Sequence, residues 1–349
     1  MRPSLLTQVL HAEFTSAATG HHTPVMLWGP PGVGKSQLIQ QIAQNNRVPL
    51  IDIRLSQMEP SDLRGIPFRS DNGKVEWAIP ALLPDCARHG EAGILFLDEI
   101  TSAPPSVSAA AYQLILDRRL GEYQIPPQWA IFAAGNRQGD RGVTYAMPSP
   151  LANRFSHFEV EVNLDDWVTW AFANGIDAGI IAFLRFRPDL LFEFDPAHNP
   201  VAFPSPRSWE FAHRAFKKFA LLPPLLLGAL QACVGTSAGI AVHAYLDNLA
   251  KMPDLEAILR GESVALPQEI DLQYAVATAL VGHAIRAKSQ PDALQLYGYI
   301  LDCAACFPQR EMGVMLVSDM QRAIGPDLFK VPQFSTWAKT MADILLCDA

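Results

Sequence analysis

The chain has 349 residues, with 27 Lys+Arg against 35 Asp+Glu and a formal charge of -8 at pH 7. Hydrophobic residues make up 49% and charged residues 18%, which is enough apolar material for about two packed domains and too little charge density for a disordered chain. The acidic total speaks against a surface that is a nucleic-acid footprint throughout. Five cysteines, Cys86, Cys233, Cys303, Cys306 and Cys347, lack the dense, even spacing of a secreted disulfide framework, so the expected setting is the reducing cytoplasm.

Leu5, Leu6, Val9, Leu10 and Phe14 recur at helical spacing, with His11 and Glu13 between them and no small-residue cleavage site. A first amphipathic helix is predicted there, not an export signal. From residue 24 to about 162, short apolar runs at 25–28, 50–53, 94–97, 129–134 and 155–160 alternate with helix-length segments. That alternation predicts an α/β domain with a mostly parallel sheet and helices on both faces. Between the second and third runs lies Ser70-Asp71-Asn72-Gly73-Lys74, whose Asn-Gly pair is hairpin-turn chemistry. After Leu164 the spacing of Trp167, Trp170 and Ala171, then Ile180, Ile181, Phe183 and Leu184, is helical, with no strand-like alternation to the end. Prolines 188, 196, 200, 204 and 206 mark a break, and a second lies at 261–267. The predicted division is an α/β core over 1–190 and an all-helical lid with a C-terminal helical region over 191–349. The segment from Ala220 to Leu246 has no Asp, Glu, Lys or Arg, but Pro223, Pro224, Gly228, Gly235 and Gly239 break it. Two short buried helices meeting near Gly235 are expected in place of a membrane span.

The run 25–28 is followed at once by Gly29-Pro30-Pro31-Gly32-Val33-Gly34-Lys35-Ser36, which opens the helical segment from Gln37. This is GxxxxGK[ST] in strand, loop, helix context; by average residue frequencies a chance match in a chain this long arises about one time in a hundred. The glycines let backbone N–H groups turn inward on phosphate oxygens, and the helix amino terminus adds partial positive charge. Gly29 to Ser36 and Gln37 are therefore the predicted nucleotide-binding residues of a P-loop NTPase fold, with ATP and Mg²⁺ as cofactors. Lys35 would reach the β- and γ-phosphates and Ser36 the Mg²⁺. Gly93 to Glu99 is an apolar strand ending in two carboxylates. Ligands of parallel sheets bind beyond the carboxyl ends of strands, so Asp98 suits the metal shell and Glu99 the polarising of an attacking water.

With these two segments in place, the sequence resembles an AAA+ ATPase, and more closely the MoxR group. Ala133-Ala134-Gly135-Asn136 is similar to sensor 1, Ser149 to Phe155 to the segment that ends in an arginine finger, and Ser205-Pro206-Arg207-Ser208 to sensor 2. The predicted hairpin resembles the insert of the helix-2-insert clade, whose loops face a central pore. The resemblance, which runs roughly from Leu5 to Phe219, implies catalytic roles for Glu99, Asn136, Arg154 and Arg207. It also implies a homo-oligomeric ring, in all a hexamer, and work on a protein client with a von Willebrand factor A (VWA) type partner. Arg118, Arg119, Arg137 and Arg141 stay open as alternative fingers. A finger that acts on a neighbour's nucleotide would make the ring part of the active site. Two other classes compete: a McrB-like GTPase motor linked to nucleic acid, and a slow ATP-gated scaffold. Glu99 speaks against the scaffold, and repetition of -8 around a ring favours a protein client over nucleic acid.

Other features read as structural. Cys303-Ala-Ala-Cys306 has no second ligand pair, the nine histidines form no metal spacing, and Lys217-Lys218 is too small for a nucleic-acid patch. Trp167, Trp170 and Trp209 are expected in cores.

Overall fold

The computed structural model describes residues 1–140, 144–196 and 201–345. They form two compact units: Met1–Asn163 with the described part of Asp195–Asn199, and the described parts of Leu164–Phe194 and Pro200–Ala349.

In chain order, the first unit contains α1 (Pro3–Ala17), β1 (Val25–Trp28), α2 (Lys35–Asn46), β2 (Leu50–Arg54), α3 (Pro60–Arg64), β3 (Ile66–Arg69), β4 (Val75–Ala78), α4 (Cys86–His89) and β5 (Ala92–Asp98). It continues with α5 (Pro105–Asp117), β6 (Arg119–Leu120), β7 (Tyr123–Gln124), β8 (Gln128–Gly135), α6 (Ser149–Ala152) and β9 (Ser156–Glu159). Five strands make one parallel sheet in the order β2-β5-β8-β1-β9. Gly93–Leu97 of β5 and Trp129–Gly135 of β8 are buried without interruption, the mark of strands covered on both faces. That is why these apolar runs were legible as strands although they do not alternate. Gly93 has a packing reason: a Cβ there would meet the indole of Trp129 at 2.6 Å. Trp129, fully buried, donates its Nε1–H to the Gly90 carbonyl.

The β3–β4 hairpin stands apart as its own two-stranded sheet. Its turn is closed by Gly73 N–H donating to the Ser70 carbonyl at 2.9 Å, with Gly73 at φ +80°. Its apolar side chains are not packed: Ile66 is 67% exposed and Trp77 45%.

The second unit is helical throughout its described residues, with α7 (Leu164–Ala173), α8 (Ala178–Phe186), α9 (Pro206–Phe219), α10 (Pro223–Val234), α11 (Thr236–Asn248), α12 (Leu255–Leu259), α13 (Ile270–Ala287), α14 (Ala293–Ala304), α15 (Arg310–Ile324), α16 (Pro332–Thr340) and α17 (Ala342–Leu345). Helices α7 and α8, which the sequence reading puts before the division at 190, pack in this unit. Their buried residues meet α13 and α15, and Arg185 of α8 makes an interior ion pair with Asp319 of α15. Trp167 and Trp209 are core residues as expected, whereas Trp170 is only half-buried. The expectation that α10 is buried is corrected. Only Leu226, Leu230 and Val234 face inward, spaced by four, while Leu221 (94% exposed), Leu222 and Leu225 stand in solvent. An uncharged segment carries no polar face to tell one-sided from complete burial.

Among the described residues, no helix is long and apolar enough to cross a membrane. Cys303 and Cys306 are free thiols, as are Cys86 and Cys233; Cys347 lies outside the described residues.

Candidate nucleotide site

The register Trp28↔Gly135 between β1 and β8, and Leu97↔Ala133 between β5 and β8, brings three neighbouring strands to end together. The loop after β1, the acids after β5 and Asn136 after β8 therefore share one edge of the sheet, the edge where parallel α/β folds bind ligands. The loop from Gly29 to Gly34 leads directly into α2, whose N-cap Gly34 has φ +97°. A Cβ at Gly34 would meet nothing within 4 Å, so backbone conformation, not space, calls for glycine there. Gly29, Pro30, Gly32 and Val33 are buried, Pro31 is half-buried, and Gln37 is exposed in the first turn of α2.

Side chains from three elements interlock at this edge. The Lys35 ammonium donates to the Gly29 and Pro30 carbonyls at 2.5 and 3.0 Å and to Asn136 Oδ1 at 3.0 Å. Ser36 Oγ donates to Asp98 Oδ2 at 2.9 Å, and the Glu99 N–H donates to Asp98 Oδ1 at 2.8 Å. Both carboxylate oxygens of Asp98 are thus fixed in direction. Glu99 takes the left-handed backbone conformation, φ +54°, a strained choice for a non-glycine residue and one that clusters at functional sites. That turn sends its side chain away from Asp98 and onto the Ser56 hydroxyl, which donates to Glu99 Oε2.

Burial first, and then the negative charges of Asp98 and Glu99, hold the Asp52 carboxyl on β2 above the usual carboxylate range. Negative charge is concentrated here, which favours a bound cation. Among the described residues no group of three or more His, Cys, Asp or Glu could hold a metal. The available donors are the hard oxygens of Ser36 and Asp98. Their 2.9 Å separation equals the edge between adjacent ligands of an octahedron with metal–oxygen bonds of about 2.0–2.1 Å. The pair fits Mg²⁺, which takes few protein ligands and completes its shell with phosphate and water oxygens.

Two residues that motif reading missed support this edge. Ser56 lies just beyond β2, and the register Arg54↔Asp98 sets it beside Glu99. Thr101 is buried; its hydroxyl accepts from the Asn136 N–H at 3.2 Å and donates to the Asn136 carbonyl at 3.3 Å, bracketing that residue.

The arginines divide by their partners. Arg118 turns inward and donates to the carbonyls of Pro126, Pro127 and Trp129, and burial lowers its pKa. Arg137 pairs with Asp140 at 3.1 Å and lies 3.6 Å from Glu159. Arg119 on β6 and Arg154 after α6 are exposed. Arg141 lies outside the described residues. Arg207 is exposed in the first turn of α9, whose N-cap Ser205 accepts from the Ser208 N–H at 3.1 Å and donates its own N–H to Ser208 Oγ at 2.7 Å.

Residues 24–155 match the AAA domain of the dynein-related subfamily. That segment holds the phosphate loop, the acidic strand end, Asn136 and Arg154, and it supports an AAA+ ATPase in this part of the chain. Among curated proteins, midasin of Giardia intestinalis is 28% identical over 48% of this chain, which spans 4% of midasin. The denitrification regulatory protein NirQ of Pseudomonas aeruginosa is 30% identical over 36% of this chain, which spans 49% of NirQ. A solved RuvB variant of Thermotoga maritima is similar over 78% of this chain and 80% of its own, at 18% identity and a TM-score of 0.37.

Proposed function

We propose that this chain is a Mg²⁺-dependent ATPase of MoxR type that assembles into a homo-oligomeric ring, in all a hexamer, and remodels or activates a protein client with a VWA-type partner. The observation that carries the reading is the interlocked set at one sheet edge, Lys35 on Asn136 and Ser36 on Asp98. The first unit is then the nucleotide-binding core, and the helical residues supply its lid.

Bound ATP with Mg²⁺ supplies the scissile phosphoanhydride and neutralises charge on its oxygens. The residues' own tasks follow from where they sit. Lys35 exchanges its carbonyl partners for β- and γ-phosphate oxygens, and Ser36 and Asp98 hold the cation. Glu99, once off Ser56, accepts hydrogen-bonding from a water and takes up its proton as it attacks the γ-phosphorus. Asn136 holds that water or the γ-phosphate in place. Arg154, exposed after α6, is the leading finger for a neighbouring subunit's nucleotide, since Arg118 and Arg137 are engaged within their own unit. An arginine in that role is worth about 10³–10⁵ in rate. Arg207 is the corresponding contact from the lid.

The exposed Ile66, Phe68, Val75, Trp77 and Ile79 on and beside the β3–β4 hairpin supply an apolar surface for a polypeptide client. The test is mass in solution with and without MgATP. A shift from small species to a closed ring on adding ATP is expected; full turnover by a strictly monomeric chain would overturn the assembly and the finger together.

A further inference from the structure

Within the second unit, far in sequence from the phosphate loop, α8, α11, the residues 249–251 and the start of α13 line an open surface cavity of about 500 Å³. Its volume falls in the range of about 300–1,000 Å³ typical of small-molecule sites. One wall is aromatic. The rings of Phe186 and Tyr245 are stacked, 6.0 Å between centroids and 27° between planes, and Phe183 meets Tyr245 edge-on at 5.4 Å. Phe183 and Tyr245 are buried, while Phe186 is 40% exposed and keeps apolar ring surface in water.

Most polar groups of the cavity already have partners. Tyr245 donates its hydroxyl to the Asp271 carbonyl at 2.9 Å, and the Asn248 amide donates to Asp271 Oδ2 at 2.8 Å. Arg187 is paired with Asp189 at 2.7 Å, and Asp247 lies 3.1 Å from His243. Lys251 is different: it lines the cavity, is exposed, and has no side-chain hydrogen bond or ion pair among the described residues. The two lining carboxylates each carry one polar contact, Asp271 from Asn248 and Asp247 from His243. An incoming anion finds a free ammonium beside an aromatic wall. The lining includes no glycine-rich turn of the kind that cradles phosphates, which sets this cavity apart from a second nucleotide site.

We propose that this cavity binds a small aromatic carboxylate, its ring packed on Phe186 and Tyr245 and its carboxylate on Lys251. Two separate features then define the ligand. Offset stacking recognises the planar ring, and a charge-assisted hydrogen bond recognises the acid. The proposal does not depend on the ATPase reading.

The experiment uses the full chain and two probes, 3-phenylpropionate and its uncharged amide, followed by saturation-transfer NMR and competition titration. The carboxylate should bind about tenfold more tightly than the amide, the usual weight of one charge-assisted bond. Lys251→Met, at an exposed position, should bring the carboxylate down to the amide's affinity and leave the amide unchanged. Ala244→Trp, which fills the cavity from an exposed position on α11, should remove both signals with the melting temperature held. Phe186→Ser should weaken both probes alike. Equal affinity of the two probes, undiminished binding in Ala244→Trp, or no transfer to the phenyl protons at millimolar probe would each overturn the assignment.

Discussion

Replacing Lys35 by Met removes the ammonium and keeps the apolar stem, so it isolates what the charge does. That ammonium is held by two loop carbonyls and by Asn136 Oδ1, at 2.5 to 3.0 Å. On binding MgATP it should exchange the two carbonyls for β- and γ-phosphate oxygens and keep Asn136. Two charge-assisted bonds contribute about 3–6 kcal/mol together, and giving up the present contacts takes back about 1–2 kcal/mol. The remainder, about 2–4 kcal/mol, corresponds to a loss of roughly 30- to 1,000-fold in affinity. Isothermal titration with MgATP and MgADP measures it, and the loss for ADP should be the smaller because one of the two phosphates is absent. Unliganded Lys35→Met should melt below the wild type, since Gly29 and Pro30 are buried and their carbonyls lose the ammonium. A loss below about threefold for ATP would refute the reasoning, because the ammonium could not then be a phosphate ligand.

Glu99→Gln should bind MgATP normally yet lower turnover by about 10²–10⁴, the range of one general base; single-turnover phosphate release at the wild-type rate would remove Glu99 from that role. Mixing Arg154→Ala chains with Lys35→Met chains should restore a fraction of the activity that neither has alone, whereas a flat profile across all mixing ratios counts against a finger in trans. The third concerns pH. Burial first lowers the pKa of His22 from 6.5, and its Nε2 accepts from the Ile131 N–H at 2.8 Å, a bond that the protonated ring cannot accept. A base with a lowered folded pKa binds fewer protons than the unfolded chain below its ordinary value, so its stabilisation is complete above pH 6.5 and is lost as pH falls from there toward the folded value. Urea midpoints should therefore drop below about pH 6.5, and His22→Gln should flatten that part of the profile; an unchanged slope in the variant would locate the effect elsewhere.

The main strands were legible in the sequence because a strand buried on both faces shows a continuous apolar run, and 94–97 and 129–134 are such runs. The strand, loop and helix around Gly29–Ser36 were legible because they are contiguous in the chain. Ser56 and Thr101 were not, because their positions depend on pairing between strands distant in sequence. Only the register of β2 on β5 sets Ser56 beside Glu99, and only the common end of β5 and β8 sets Thr101 against Asn136. Arg118 shows a subtler limit. Among surface arginines it looked available, yet it fills an inward position and satisfies carbonyls at Pro126 and Pro127, groups flanked by residues that cannot donate a backbone N–H. Two consecutive prolines ahead of a buried strand were the signal that could have pointed there.

The hairpin between residues 66 and 78 presents apolar side chains to water on a pair of strands that could recruit a third. Ser70 donates its backbone N–H to Lys74, so positions 70 and 68 face the partner strand and 67 faces the free edge, by the alternation of antiparallel ladders. Position 67 is a proline, opposite Trp77, and offers that edge no hydrogen. A peptide approaching along β3 therefore finds a ladder bond missing, while the outer edge of β4 keeps the N–H groups of Val75 and Trp77. Pairing along β3 is disfavoured for this reason, and contacts on that side of the hairpin fall to side chains. The same proline guards β3 against edge-to-edge pairing with a second strand.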